Sequence, residues 1–218
     1  MNRRVYVTVR ALVRTANTPL AKARLTRALR KAPRPLKIEV GGLKKQDGWI
    51  VTNVNAVTKL YMDATTRWPV EDGSATHVFN DNVIEHLPLE AGRAMLAEAY
   101  RVLRPGGKIR TVTPDIRAHV DMYLNGGAAA LVDPMFDGYT ALGLKIEHPV
   151  DLIRIPIGEF GHHAGYIYDF ETLKSELERA GFHNVTRYRV SESDDPDFSG
   201  LDQRKEEGGA QIAVEALR

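Results

Sequence analysis

Residues 61–115 read YMDATTRWPVEDGSATHVFNDNVIEHLPLEAGRAMLAEAYRVLRPGGKIRTVTPD, and this stretch decides the fold. Over 91–103 the apolar residues Met95, Leu96, Ala99, Val102 and Leu103 recur at helical spacing, with Arg101 and Arg104 at the negative end of the helix dipole. Pro105-Gly106-Gly107 predicts the stop, because proline cannot continue a helix and glycine supplies the turn. A β-branched run then predicts a strand over 108–113, closed by Pro114, which lacks a ladder donor. Upstream, 76–79 predicts a short strand running into the polar Asn80-Asp81-Asn82. Strand, polar loop, helix, turn and strand make half of an open α/β sheet. Ligands of such sheets sit beyond the carboxyl ends of the strands, here near Asn80–Asn82 and Pro114–Asp115.

The same stretch resembles the class I (Rossmann-like) S-adenosylmethionine-dependent methyltransferases. In that family a strand with an Asp-Ala-like pair leads to a Pro-x-x-Asp-Gly-Ser turn. A strand, an Asn/Glu-His-Leu segment and a helix closing on Arg-Val-Leu-x-Pro-Gly-Gly follow. Here these are Asp63-Ala64, Pro69 to Ser74, Asn82 to Leu87 and Arg101 to Gly107, in order and at family spacing. The resemblance covers residues 36 to the end. It implies an open Rossmann-like sheet of about seven strands, mostly parallel, with an antiparallel C-terminal pair at 183–190 and 211–216. It also implies S-adenosyl-L-methionine as cofactor and S-adenosyl-L-homocysteine as product.

Upstream of that stretch, Leu36 to Val40 alternates as a first strand and ends on Gly41-Gly42. In the resembled family this turn lets the backbone approach the cofactor, because a Cβ would fill the space. Residues 49–54 predict the next strand after a polar loop too short for a helical crossover. That short connection, with Gly48-Trp49-Ile50, resembles the branch associated with bacterial polysaccharide biosynthesis, as does Ser191 to Pro196, with an echo at Gln203-Arg204. The 191–209 connection reads as a loop near the active-site rim. The resemblance assigns Gly41, Gly42, Asn53, Asp63, Ala64, Asn80 and Asn82 to cofactor binding. At Asn53 an amide stands where the family has an acid on the ribose, so the charge-assisted bond is missing. Asp63 would meet the adenine amino group, a role its context favours over that of a helix-cap or turn aspartate.

Charge divides the chain. Residues 1–38 hold eleven Lys/Arg and no acid, leaving the remainder with nine more acids than bases. Residues 1–35 therefore read as a basic helical arm, with one helix starting near Val5 and a second at Pro19, and 36–218 as the methyltransferase domain. The arm's apolar stripe requires burial on the sheet or in a homodimer, and no aromatic residues interleave for base stacking, so nucleic acid is not the expected partner. The chain has no cysteine, which removes disulfides, thiolate metal sites and cysteine nucleophiles and fits a reducing, cytoplasmic setting. No apolar run reaches membrane-span length.

Residues 116–124 read as a helix, and Asp169 caps another with Phe170, Leu173 and Leu177 on one face. Between them, about 126–168 is irregular and rich in glycine, proline and aromatics, which marks a functional lid. It carries Tyr139, His148, Glu159, His162 and His163, with Tyr166 and Tyr168 near its end; this composition suits a sugar platform. A hydroxyl acceptor needs a general base, for which histidine is best matched. His86 is the first choice and His163 the second, with Asp81 and Glu85 as further catalytic candidates and His148 and His162 behind them. Asn82, Glu85 and His86 form a set that could ligate a divalent ion, but asparagine is a weak member and no metal is assigned. The expected activity is O-methylation of a sugar or oligosaccharide in bacterial polysaccharide or glycolipid assembly. The alternatives are O-methylation of a quinone, lipid or polyketide, or a non-catalytic scaffold of the same fold.

Overall fold

The structure, a computed structural model, describes residues 3–126, 140–141, 143–202 and 211–218, with side chains from residue 12 onward. Tyr139 and the Gln203-Arg204 pair lie outside the described residues. The first element, α1 (Arg3–Lys31), runs unbroken through Pro19, where two helices were expected. A proline removes one helical donor, and the surroundings compensate. The Thr18 hydroxyl donates to the Arg14 carbonyl at 2.7 Å, and the Asn17 amide donates to the Ala56 and Thr58 carbonyls at 3.2 and 2.8 Å. Past that pin, Ala21, Leu25 and Leu29 repeat every four residues and are all buried, while Lys22, Arg24, Arg27 and Arg30 face solvent. Leu25 and Leu29 belong to the main core.

Among the described residues the sheet has six strands rather than about seven: β1 (Leu36–Val40), β2 (Ile50–Thr52), β3 (Ala75–Asp81), β4 (Leu103–Pro114), β5 (His183–Tyr188) and β6 (Gln211–Leu217). Their spatial order is β2-β1-β3-β4-β6-β5. The first four are parallel, and β6 lies antiparallel between β4 and β5. Where a further edge strand would lie, only a single parallel bridge joins Asn53 to Tyr61. This is a Rossmann-like α/β fold, a mostly parallel sheet with an antiparallel C-terminal pair. The chain leaves β1 in one direction for β2 and returns to its other side for β3, so the switch point lies between β1 and β3.

β3 runs two residues further at its carboxyl end than expected, because Asn80 and Asp81 continue the ladder opposite Thr111 and Val112. Pro105-Gly106-Gly107 is not a turn between elements. The register jumps from Ala75↔Leu103 to His77↔Lys108, so the motif is a bulge inside β4 that follows directly on α2 (Leu89–Val102). Alternation splits the core. Val78 and Ile109 face the main cluster with α1, α2 and α5 (Phe170–Arg179), whereas Phe79 and Val112 face Phe198. With nine residues and no helix linking β1 to β2, the 191–202 segment covers that second face. It lies over Lys37, His77 and Lys108, near the amino ends of β1, β3 and β4, and not at the rim expected for it. After α3 (Ile116–Asn125), the lid contains α4 (Asp151–Gly158) and a 3₁₀ turn at His162–Ala164, so part of the expected irregular stretch is helical. Among the described residues no helix is long and apolar enough to cross a membrane.

Candidate cofactor cavity and acceptor corner

The switch point opens into a cavity of about 290 Å³, lined by Val40, Gly41, Asn53, Met62, Asp63 and Asn82 with their neighbours, and bordered by His86. Its size sits at the lower end of ligand pockets, which run roughly 300–1,000 Å³. Gly41 must be glycine for a reason beyond the one expected. Its φ is +82°, and a Cβ there would lie 2.3 Å from Val83 Cγ2, so the turn after β1 packs on the loop after β3. That loop is itself bent by Asn82 at φ 49°, a left-handed conformation asparagine tolerates, with its N–H donating to the Val112 carbonyl.

Asn53 explains how the glycine turn keeps its shape. Its amide donates to the Gly41 carbonyl at 2.7 Å and the Gly42 carbonyl at 3.1 Å, and its oxygen accepts from Asn55 N–H. Both N–H groups are thereby committed to backbone, and an acid at this position could make neither bond. Asp63 also serves its own turn: Oδ1 accepts from the Thr65 N–H and hydroxyl at 2.9 and 2.8 Å. It still lines the cavity, together with Ala64. The loop carrying them is anchored by Trp68, which is 2% exposed and donates through Nε1 to the Ala64 carbonyl. Arg101 of α2 ties the Trp68 and Val70 carbonyls from below.

The remaining candidates separate. Asn80 is buried in the sheet, its amide donating to Thr111 Oγ1 at 2.9 Å, and it does not line the cavity. Gly42 likewise stands behind the lining. Asp81 ends β3, and its charge adds to the rise of Glu39, whose carboxyl is pushed up to about 7 mainly by burial. Asp115 is occupied, accepting from Arg117 N–H as the cap of α3 and from Arg187. His148 is exposed on the lid, and Glu159 is paired with Arg154.

His86 and Glu85 sit on a 3₁₀ turn, Ile84–His86, directly beyond β3. His86 is exposed and borders the cavity; Glu85 is fully buried, and its Oε2 accepts from the Thr113 hydroxyl at 3.2 Å. The lid brings His162, and not His163, to this corner. The His162 and His86 rings lie 4.8 Å apart, and His162 Nε2 is 4.0 Å from Glu85 Oε1, while His163 is exposed. Gly165 makes the approach feasible, since a Cβ there would fall 1.8 Å from the Glu85 carbonyl oxygen. In the sequence alone nothing separates the two adjacent histidines; the choice depends on how the 3₁₀ turn at 162–164 faces the one at 84–86.

Residues 23–111 match the family model described as "Methyltransferase domain". No curated protein matches the sequence. Solved structures similar to this chain include a SAM-dependent methyltransferase of Archaeoglobus fulgidus, at 15% identity and TM-score 0.47, covering 92% of this chain and 94% of that one. A SAM-dependent methyltransferase of Thermotoga maritima, described as a possible histamine N-methyltransferase, is 14% identical with TM-score 0.47 over 94% and 91%. A phosphoethanolamine N-methyltransferase of Haemonchus contortus is 13% identical with TM-score 0.44, covering 94% of this chain but 52% of its own. The matched segment contains the whole lining of the cavity, Gly41, Asp63, Asn82 and His86 included. Residues 23–111 thus carry a methyltransferase domain match within a Rossmann-like sheet, and that match supports S-adenosylmethionine as the cofactor.

Proposed function

We propose that this chain is an S-adenosylmethionine-dependent O-methyltransferase acting on a hydroxyl of a sugar or oligosaccharide. The observation that carries this reading is the placement of His86: it borders the switch-point cavity and is backed by buried Glu85 and His162. When bound, the cofactor supplies a methyl group made electrophilic by its sulfonium. Gly41, Asp63, Ala64 and Thr65 would hold it, and the apolar Val40, Met62 and Val83 would keep water from the reacting end. His86 meets the acceptor hydroxyl and polarises it, which is the assistance a neutral-pH alcohol needs. On the lid, Phe160 and Tyr166 leave 47% and 37% of their surface exposed beside this corner. Exposed rings close in sequence to the polar His163 and Glu159 suit a ligand with apolar C–H faces and many hydroxyls.

The test is single-turnover transfer from labelled cofactor to a panel of mono- and oligosaccharides, with quinone, lipid and polyketide alcohols as the second arm. Transfer to the sugar arm is expected, falling by about 10²–10⁴ in His86→Ala while cofactor affinity is retained. Transfer to the second arm alone would replace the acceptor assignment. Absence of cofactor binding in calorimetry would reduce the chain to a scaffold.

A further inference from the structure

We infer that Glu85, His86 and His162 hold a divalent transition-metal ion at the acceptor end of the cavity. One ligand atom from each lies within 4.8 Å of the other two. An ion bound at about 2.0–2.2 Å from each would draw such atoms to about 3–4 Å apart, a closure of at most about 2 Å. The two segments already touch, since the Gly165 backbone packs on the Glu85 carbonyl.

The geometry behind the ligands is what a metal site requires. His162 is 6% exposed, and its Nδ1 lies 2.9 Å from the Pro156 carbonyl. A carbonyl only accepts, so Nδ1 carries a proton, and the tautomer that can ligate an ion directs its Nε2 lone pair toward Glu85 Oε1, 4.0 Å away. A ligating histidine held through its other nitrogen by a backbone carbonyl is the usual outer-shell arrangement. Glu85 is oriented in turn by the Thr113 hydroxyl. Two imidazoles and one carboxylate suit Zn²⁺, Mn²⁺, Fe²⁺ or Co²⁺ and not Mg²⁺ or Ca²⁺, which prefer all-oxygen shells. Three protein ligands leave coordination positions open. Because His86 is exposed and borders the cavity, those positions face the acceptor.

The inference deepens the methyl-transfer reading and rests on it only for the acceptor; binding of the ion does not depend on it. An ion here would lower the pKa of a coordinated hydroxyl, and His86 would then act as a ligand and not as the base.

The experiment titrates the chelator-treated full chain with Co²⁺, following visible absorbance and equilibrium dialysis, with cofactor calorimetry on the same samples. One tight equivalent is expected. His86→Ala and His162→Ala should each weaken it by about 10–100-fold or more, with His163→Ala unchanged and circular dichroism intact in all three. Because His86 is exposed, its variant reports on the site even if the buried His162 variant fails to fold. Cofactor binding without any saturable Co²⁺ would overturn the ion site and leave His86 as a base. Equal weakening in His163→Ala would also overturn it, by assigning uptake to the surface pair. Co²⁺ binding lost with His86 and His162, in a chain that does not bind cofactor, would support the ion site while removing the methyl-transfer reading.

Discussion

Two clusters of histidine and carboxylate flank β3, and they differ in one respect that separates a site from a scaffold. Near the start of the strand, His77 meets Asp195 and Asp197; beyond its end, His86 meets Glu85 and His162. Both groupings could hold an ion by spacing alone. In the first, however, the register aligns Lys37, His77 and Lys108 across three strands, and each aspartate already holds a lysine. Lys108 lies 2.8 Å from Asp195, and Lys37 lies 2.5 Å from Asp197. Phe198 closes the cluster, its ring 5.0 Å from that of His77. In the second, a histidine opens to a cavity, and the side chain facing Glu85 is another histidine and not a lysine. Residue types name a capability, and the supply of fixed counter-charge decides whether it is consumed in holding the sheet together.

The largest effect is expected where the covered face depends on charge. Arg110, fully buried, donates to Asp202 at 2.9 Å and to Glu215 at 2.6 Å, both also buried. Arg110→Met would leave two carboxylates buried without their cation, a loss of about 3–5 kcal/mol, read as a drop in urea midpoint. Cofactor affinity of the folded variant should stay the same. If affinity fell while the fold held, the two faces would not be separable as described.

The same division explains what could be read in advance. The strand-turn at Leu36 to Gly42 and the helix at 89–102 follow from local period and punctuation, which act within a few residues, whereas the antiparallel close was implied by the family resemblance. Gly41 was legible as a glycine position, but not its cause: Val83 comes from a loop more than forty residues away. Asn53 was read as a weakened ribose ligand because its bonds to the Gly41 and Gly42 carbonyls are tertiary. The helix through Pro19 needed the Asn17 pin on the 56–58 loop, and His162 needed the face of a 3₁₀ turn. Each of these depends on contact between distant segments, which periodicity cannot carry.

A smaller effect, visible as a slope in pH, is expected from Glu39 of β1. Burial, with the charge of Asp81 adding to it, pushes its carboxyl from 4.5 up to about 7. Its Oε2 has no hydrogen-bond partner among the described residues. The folded state therefore keeps a proton that the unfolded chain releases. This contribution is fully present below pH 4.5 and is lost as pH rises through about 7. Stability of the cofactor-free protein should decline across that window, and Glu39→Gln should flatten the decline. A wild-type profile flat from pH 4.5 to 7 would show that Glu39 is solvated as an ion.

The smallest effect tests the counter-charge argument directly. Lys108 keeps 33% of its side chain exposed beside Asp195, so Lys108→Met should cost no more than about 1 kcal/mol. With Lys37→Met added, His77, Asp195 and Asp197 would lose both lysines and keep the spacing that could hold an ion. If fixed cations are what separates the two clusters, this double variant should take up a second equivalent of Co²⁺ where the parent takes one. The new uptake should be weak, because Phe198 and the 191–202 segment still cover the site. It should vanish on Asp195→Asn, which removes the carboxylate nearest His77, at 3.3 Å. Unchanged stoichiometry in a folded double variant would mean that enclosure, and not charge, keeps the first cluster structural. The openness of His86 to the cavity would then be the property that makes the second one a site.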